Sequence, residues 1–208
     1  MEDAELSWFF FRRAEIPLLS GYSCKRHRTC IDLMILKKAG NFELSKLRTL
    51  GLLDTEFNNN NKTLGHEATH RALDLECIAP EQFSRPGRSA IDQTIAKRCT
   101  FDHHRSRRLT YSICSSDLAG CYDRIVHTAA ALALLRLGLD HAKVLSMFDS
   151  IQRMVHKVRT AFGDSEESYG GDDLGDWQNY PQGILQGNAS GPAIWSILSS
   201  VVFEILQA

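Results

Sequence analysis

Three short stretches carry residue types that could do chemistry. In "SSDLAGCYDRI", Asp117 and Asp123 stand six residues apart. A carboxylate at a strand end, beside backbone carbonyls, is a good ligand for Mg²⁺. In "YGGDDLGDW", Asp172 and Asp173 are adjacent, as in a metal-binding turn. In "TLGHEATHRAL", His66, Glu67 and His70 spell HExxH. On a helix this puts two imidazoles on one face for Zn²⁺, with a glutamate to activate water. A further stretch, "GILQGNASGPAIW", sets Gln186-Gly187 ahead of Pro192. It makes a loop-to-helix junction whose glycines let another backbone or a base pair approach closely. Each has an ordinary counterpart. Asp123 can be an acid at a helix N-terminus and Asp117 a turn former. The HExxH run can be a solvated helical face, and the Gln-Gly stretch a loop before a capped helix.

Elements must position these residues. The spacing of "TCIDLMILKKAGN" predicts a helix stopped by Gly40, and "KLRTLGLLDTEF" reads as a strand. "NNNNK" is expected to be a polar turn. "TLGHEATHRALDLECIA" and "SRPGRSAIDQTIAKRCT" return to helical period around a Pro-Gly break. "RLTYSICSSDL" alternates at Leu109, Tyr111 and Ile113, as a strand entering the core would. "YDRIVHTAAALALLRLG" is a helix ended at Gly138, and "DHAKVLSMFDSIQRMVHKV" a second one capped by Asp140. "VRTAF" reads as a short strand, and "GDSEESYGGDDLGDWQNYPQG" as a loop or hairpin. Pro192 fits the first turn of a final apolar helix. Strands and helices mix without strict alternation and without repeats, which indicates an α+β fold.

In order along the chain, Asp117-x₃-Cys121-Tyr122-Asp123 and Gln186-Gly187-x₄-Pro192 resemble motifs A and B of reverse transcriptases, of the non-LTR retrotransposon and group II intron type. The segment from Ile31 to Gly65 is similar to the fingers of that family. The resemblance implies the fingers and partial palm of a right-hand polymerase, with residues 1–108 fingers-like and 109–208 palm. It implies RNA-directed DNA polymerase chemistry with two Mg²⁺, a template-primer of RNA or DNA, and deoxynucleoside triphosphate. Asp117 would then be the catalytic metal ligand, with the Leu118 carbonyl beside it. Tyr122 would sit under the sugar and exclude a 2′-hydroxyl. Gln186 and Gly187 would line the nascent base pair. Arg48, with Lys37 or Lys38, would face the phosphates. Asp123 and Pro192 would be structural. Arg105, Arg107 and Arg108 would hold nucleic-acid backbone.

In this family motif C, an aromatic-x-Asp-Asp hairpin, follows motif B. Asp172 and Asp173 precede Gln186, so "YGGDD" is expected to be a decoy loop leading into motif B. The chain reaches Ala208 inside an apolar helix with no motif C. The expectation is a truncated product, inactive alone and marginally stable, with the remainder of a retroelement polyprotein as its natural context. Two other readings stand beside it: a non-catalytic nucleic-acid-binding relic of the same fold, and an HExxH zinc hydrolase. For the hydrolase, Leu73 stands where a metzincin needs glycine.

Composition bounds these readings without choosing among them. The chain has 208 residues, of which 43% are hydrophobic and 24% charged, as in soluble globular domains. A net charge of −1 gives no global attraction to nucleic acid. Binding would fall to local patches, "CKRHR" around Arg26 and "HHRSRR" around Arg107, unless these are only solvated loops. The six cysteines lack CxxC spacing and read as reduced thiols of an intracellular protein, cytoplasmic or nuclear. Acids precede the first apolar run and Arg12 and Arg13 close it, the wrong order for a signal peptide. No run approaches membrane-spanning length.

Overall fold

The computed structural model describes residues 3–41, 43, 46–113, 120–171 and 183–207. It is an α+β arrangement in which a small mixed sheet lies against a cluster of helices. Strand β1 (Thr29–Leu36) is central. It pairs antiparallel with β2 (Leu47–Leu53) through Cys30↔Leu53, Asp32↔Gly51 and Ile35↔Arg48. On its other side it runs parallel to β3 (Val155–Thr160), with Cys30↔His156. The short β4 (Gly163–Asp164) and β5 (Tyr169–Gly170) both pair with β3. The first and second halves of the chain therefore share one sheet.

The expected helix at 29–41 is corrected to this strand over 29–36. An eight-residue apolar run looks the same in a buried helix and a buried strand. Here the alternating burial of Cys30 and Asp32, and hydrogen-bonding neighbours on both edges, decide for the strand. The expected Asn turn is corrected as well, because residues 58–61 lie inside α2 (Thr55–Asp74). Asp54 caps α2 by accepting from the Glu56 and Phe57 amides. Its buried stripe is Phe57, Asn61, Leu64, Ala68 and Ala72, the period of one helical face.

Helix α1 (Ala4–Ser20) ends at Gly21, whose φ of 72° is the left-handed stop that glycine accepts. Helix α3 (Ala90–Ser106) begins with a Ser89–Asp92 capping box and buries none of its residues. The expected strand after it is corrected: Leu109, Tyr111 and Ile113 are exposed and form no strand. The segment folds back on α3, with the Tyr111 ring 5.0 Å from His104 and 6.0 Å from Phe101. Helices α4 (His127–Arg136) and α5 (His141–Gln152) meet at the expected Gly138 stop, φ 79°, and the expected Asp140 cap on Ala142, but both are shorter than expected: residues 122–124 form a 3₁₀ turn ahead of α4, and residues 155–158, expected to extend the second helix, belong to β3. Helix α6 (Gly191–Gln207) closes the described chain.

The core forms where α2, α4, α5 and α6 meet, around Leu64, Leu134, Met147, Ile151 and Ile194. Gly65 lets α2 approach α6 closely, since a Cβ there would lie 3.0 Å from the Ser190 Cα. The early turns of α6 are covered, while Val201, Val202 and Ile205 are exposed. Among the described residues no helix is long and apolar enough to cross a membrane.

Candidate functional site

Three segments distant in sequence are stitched together at the start of α6. The first is the 3₁₀ turn Tyr122–Arg124. The Tyr122 carbonyl accepts from the Ile184 amide at 3.0 Å, and the Ile125 carbonyl from the Gly183 amide at 3.2 Å. His127 Nε2 reaches the Gly183 carbonyl at 2.6 Å. The approach leaves no room for a side chain. A Cβ on Gly183, at φ 86°, would lie 2.5 Å from the Asp123 Cα and the Tyr122 oxygen. The Tyr122 ring lies along the start of α6, 3.5 Å from where a Gly191 Cβ would be. Burial raises the Tyr122 pKa, with a smaller push from Cys121. Tyr122 is therefore a neutral ring at physiological pH. Asp123 is exposed.

The second segment is the loop Gln186–Ser190, and the third is the edge of β2 that pairs with no other described strand. The Gly51 amide donates to the Gln186 carbonyl at 2.7 Å. Gly187 has φ 118°, and a Cβ on it would fall 2.2 Å from the Gly51 oxygen, so only glycine fits. Asn58 of α2 clamps the loop from the other side. Its Nδ2 donates to the Gly187 carbonyl at 3.1 Å and its Oδ1 accepts from the Ala189 amide at 2.8 Å. The Asn188 side chain accepts from the Ser190 amide at 3.0 Å. Pro192 stands exposed in the first turn of α6, where its missing N–H costs nothing.

The structure thus joins the Tyr122–Asp123 turn to Gly183 and Ile184, and seats Gln186 and Gly187 of the following loop on β2. Arg48 is on the same strand as Gly51, three residues away, roughly 10 Å at strand spacing. Lys37 and Lys38 are exposed in the β1–β2 connection. Arg105, Arg107 and Arg108 are exposed at the end of α3, where basic groups also complement the helix dipole. Asp117, Leu118, Asp172 and Asp173 lie outside the described residues.

The HExxH residues lie on α2 as expected, with His66 and His70 exposed. Glu67 is engaged elsewhere. Its carboxylate takes Lys143 Nζ of α5 at 2.6 Å and Arg71 Nη2 at 2.8 Å. The Lys143 hydrogen bond foremost holds its pKa below the ordinary value, against a smaller effect of burial. Glu67 fastens α2 to α5.

Two groups among the described residues could hold a metal ion: Cys30, Asp32 and His156, and His27, Asp54 and Glu56. In the second, Arg26 already reaches Asp54 at 3.2 Å and Glu56 at 3.1 Å, and Arg13 bonds Glu56. Guanidinium groups neutralise those acids. The first group has no such cation. Asp32 is buried and accepts from His156 Nδ1 at 3.0 Å, from the Cys30 thiol at 3.5 Å and from the Tyr169 hydroxyl. Burial alone would raise the Asp32 pKa, but these hydrogen bonds together lower it.

Sequence reasoning missed Asn58, Gly51, Gly183 and the Asp32 group. Asn58 was hidden in a polar run, although Asp54 and the apolar stripe behind it signal a helix. Asp32 had a visible signal, a lone acid inside "CIDLMIL". Comparison with protein-family models and with curated protein sequences gives no match.

Proposed function

We propose that the chain is the fingers and part of the palm of a reverse-transcriptase-type nucleotidyltransferase, handling a template-primer and a deoxynucleoside triphosphate. One observation carries this reading: Tyr122, Gln186-Gly187 and the strand bearing Arg48 converge through the Gly51–Gln186 and Tyr122–Ile184 backbone bonds. These are the stretches that the motif resemblance singles out, and nothing in their sequence spacing requires them to meet.

In this reading Asp117 and the Leu118 carbonyl would hold Mg²⁺, since carboxylate and carbonyl oxygens are the hard donors it takes. When bound, the ions supply Lewis-acid stabilisation of the attacking and leaving oxygens. The remaining work falls to the chain. The Tyr122 ring, fixed along Gly191, stands under the sugar and excludes a 2′-hydroxyl. Gln186 and Gly187, pinned between β2 and Asn58, line the nascent pair. Arg48 with Lys37 or Lys38 neutralises the triphosphate, which needs positive charge at short range. Asp123 anchors the turn.

A second reading is a nucleic-acid-binding module without catalysis. It is favoured by α3, a helix that buries none of its residues and ends in Arg105, Arg107 and Arg108. One experiment separates the two: fluorescence anisotropy of a labelled DNA primer on an RNA template, with and without dNTP and Mg²⁺. The polymerase reading expects the matching dNTP to tighten binding only with Mg²⁺, and Asp117→Asn to abolish that gain. Binding indifferent to dNTP, Mg²⁺ and Asp117 supports the module instead. No binding at low salt overturns both.

A further inference from the structure

Three strands set four reactive side chains on one face of the sheet. Cys30 and Asp32 are two apart on β1, so they point the same way. His156 pairs with Cys30 across the β1–β3 ladder, and Tyr169 pairs with His156 across β3–β5. The Tyr169 ring stacks on His156 at 5.0 Å and 20°. Asp32 and His156 are each 2% exposed in their side chains, and Cys30 is fully buried.

One feature leaves this group unfinished as a purely hydrogen-bonded cluster. Asp32 carries a buried negative charge, and among the described residues its one basic partner is His156, with no lysine or arginine. Burying a carboxylate without a compensating charge is costly.

We propose that Cys30, Asp32 and His156 form a three-ligand binding site for a borderline-soft divalent cation, Zn²⁺ in preference to Mg²⁺. The donor set is thiolate, imidazole and carboxylate, which suits Zn²⁺ and not an ion that demands oxygen. The spacing is near what it needs, with a few tenths of an ångström of opening between His156 and Asp32. Tetrahedral Zn²⁺ with these ligands needs donor atoms about 3.3–3.8 Å apart. Here Cys30 Sγ is 3.5 Å from Asp32 Oδ1 and His156 Nδ1 is 3.0 Å from Asp32 Oδ2, and one ligand atom from each of the three residues lies within 4.8 Å of the others. Occupation releases the Cys30 thiol proton to solvent and moves the imidazole proton from Nδ1 to Nε2. Two anionic ligands then balance the divalent charge, with no change of oxidation state. Tyr169, which donates to Asp32, orients the carboxylate as partners of metal ligands do.

The site lies directly behind the Gln186 loop. A Cβ on Gly51 would be 3.2 Å from Cys30 Sγ and 3.5 Å from the Gln186 oxygen. A metal there braces the three strands and, through Gly51, the loop. The inference stands on the sheet geometry and does not need the polymerase reading.

The test uses the full chain, purified without added metal and then titrated with Zn²⁺ and Co²⁺. The expected result is one ion per chain, a near-ultraviolet thiolate-to-cobalt charge-transfer band, and a lower melting temperature after chelation. Cys30→Ser should lose the band, and His66→Ala/His70→Ala should keep both band and stoichiometry. The wild-type cobalt spectrum tests the thiolate even if Cys30→Ser fails to fold. Absence of stoichiometric metal, a cobalt complex without the thiolate band, or metal lost from the His66/His70 variant would overturn the proposal.

Discussion

Asn58→Ala tests whether the Gln186 loop is held from α2. The substitution deletes two hydrogen bonds, one to the Gly187 carbonyl at 3.1 Å and one from the Ala189 amide at 2.8 Å. Each is worth about 0.5–1.5 kcal/mol net. The Gly187 carbonyl belongs to an exposed residue and can rehydrate, whereas Ala189 is half-buried, so its amide loses more. The expected cost is about 1–2 kcal/mol, or roughly 2–8 °C in melting temperature for a chain of this size. Hydrogen exchange read residue by residue is the sharper assay. Protection should fall at Ala189 and Ser190, while the core of α5 around Ile151 changes only as much as global stability does. Asn58→Asp separates the two bonds. A carboxylate still accepts from the Ala189 amide but cannot donate to Gly187, so Ala189 protection should survive at neutral pH. Unchanged Ala189 protection in Asn58→Ala would refute the clamp, as would equal loss in both variants.

Gly187→Ala should destabilise by about 2–3 kcal/mol or more, because it combines strain at φ 118° with a Cβ 2.2 Å from the Gly51 oxygen; an unchanged denaturation midpoint would show that the loop is free of β2. Glu67 predicts an acid limb. Its folded pKa lies below the ordinary 4.5, so the unfolded chain binds the proton more readily, and the Lys143 and Arg71 pairs stabilise the fold above that value. That contribution, about 0.5–1 kcal/mol for a partly exposed pair, disappears as pH falls through the folded pKa, and Glu67→Gln should flatten the melting temperature against pH below about 4.5. Replacing Arg105, Arg107 and Arg108 together by Gln should weaken template-primer binding and cut the log-log salt slope by about 2–3 if each meets a phosphate; an unchanged slope with a lower melting temperature would make them partners of the α3 dipole only.

What the sequence disclosed about the fold follows the range of the forces involved. The end of α4 and the start of α5 were legible because Gly138 and Asp140 act on their own neighbours. Strand β1 was not, because its identity depends on β2 and on β3, the latter 124 residues away at the Asp32–His156 contact. An apolar octet offers no local choice between strand and helix, so pairing decides. The stretch from Leu109 to Ile113 erred in the opposite direction. Its alternation is real, yet no described strand offers it an edge, and Tyr111 turns to the rings of α3 instead.

The same division runs through the site. Tyr122, Gln186, Gly187 and Pro192 stood out because their spacing resembles a motif pattern, whereas the residues that hold them do not form a pattern in sequence. Gly51 is one small residue in a strand, but an amide on a free sheet edge must find an acceptor, and Gln186 supplies it. Gly183 is one glycine beside a polar stretch, but the Tyr122–Asp123 backbone passes too close for any other residue. Asn58 looked like loop composition and is a two-bond clamp, because an amide side chain can satisfy both a carbonyl and an N–H at once. Asp32 was the most conspicuous of these, a lone charge in an apolar strand. A charge in that position needs compensation, and the compensation lies on two other strands, behind the loop that the motifs identify.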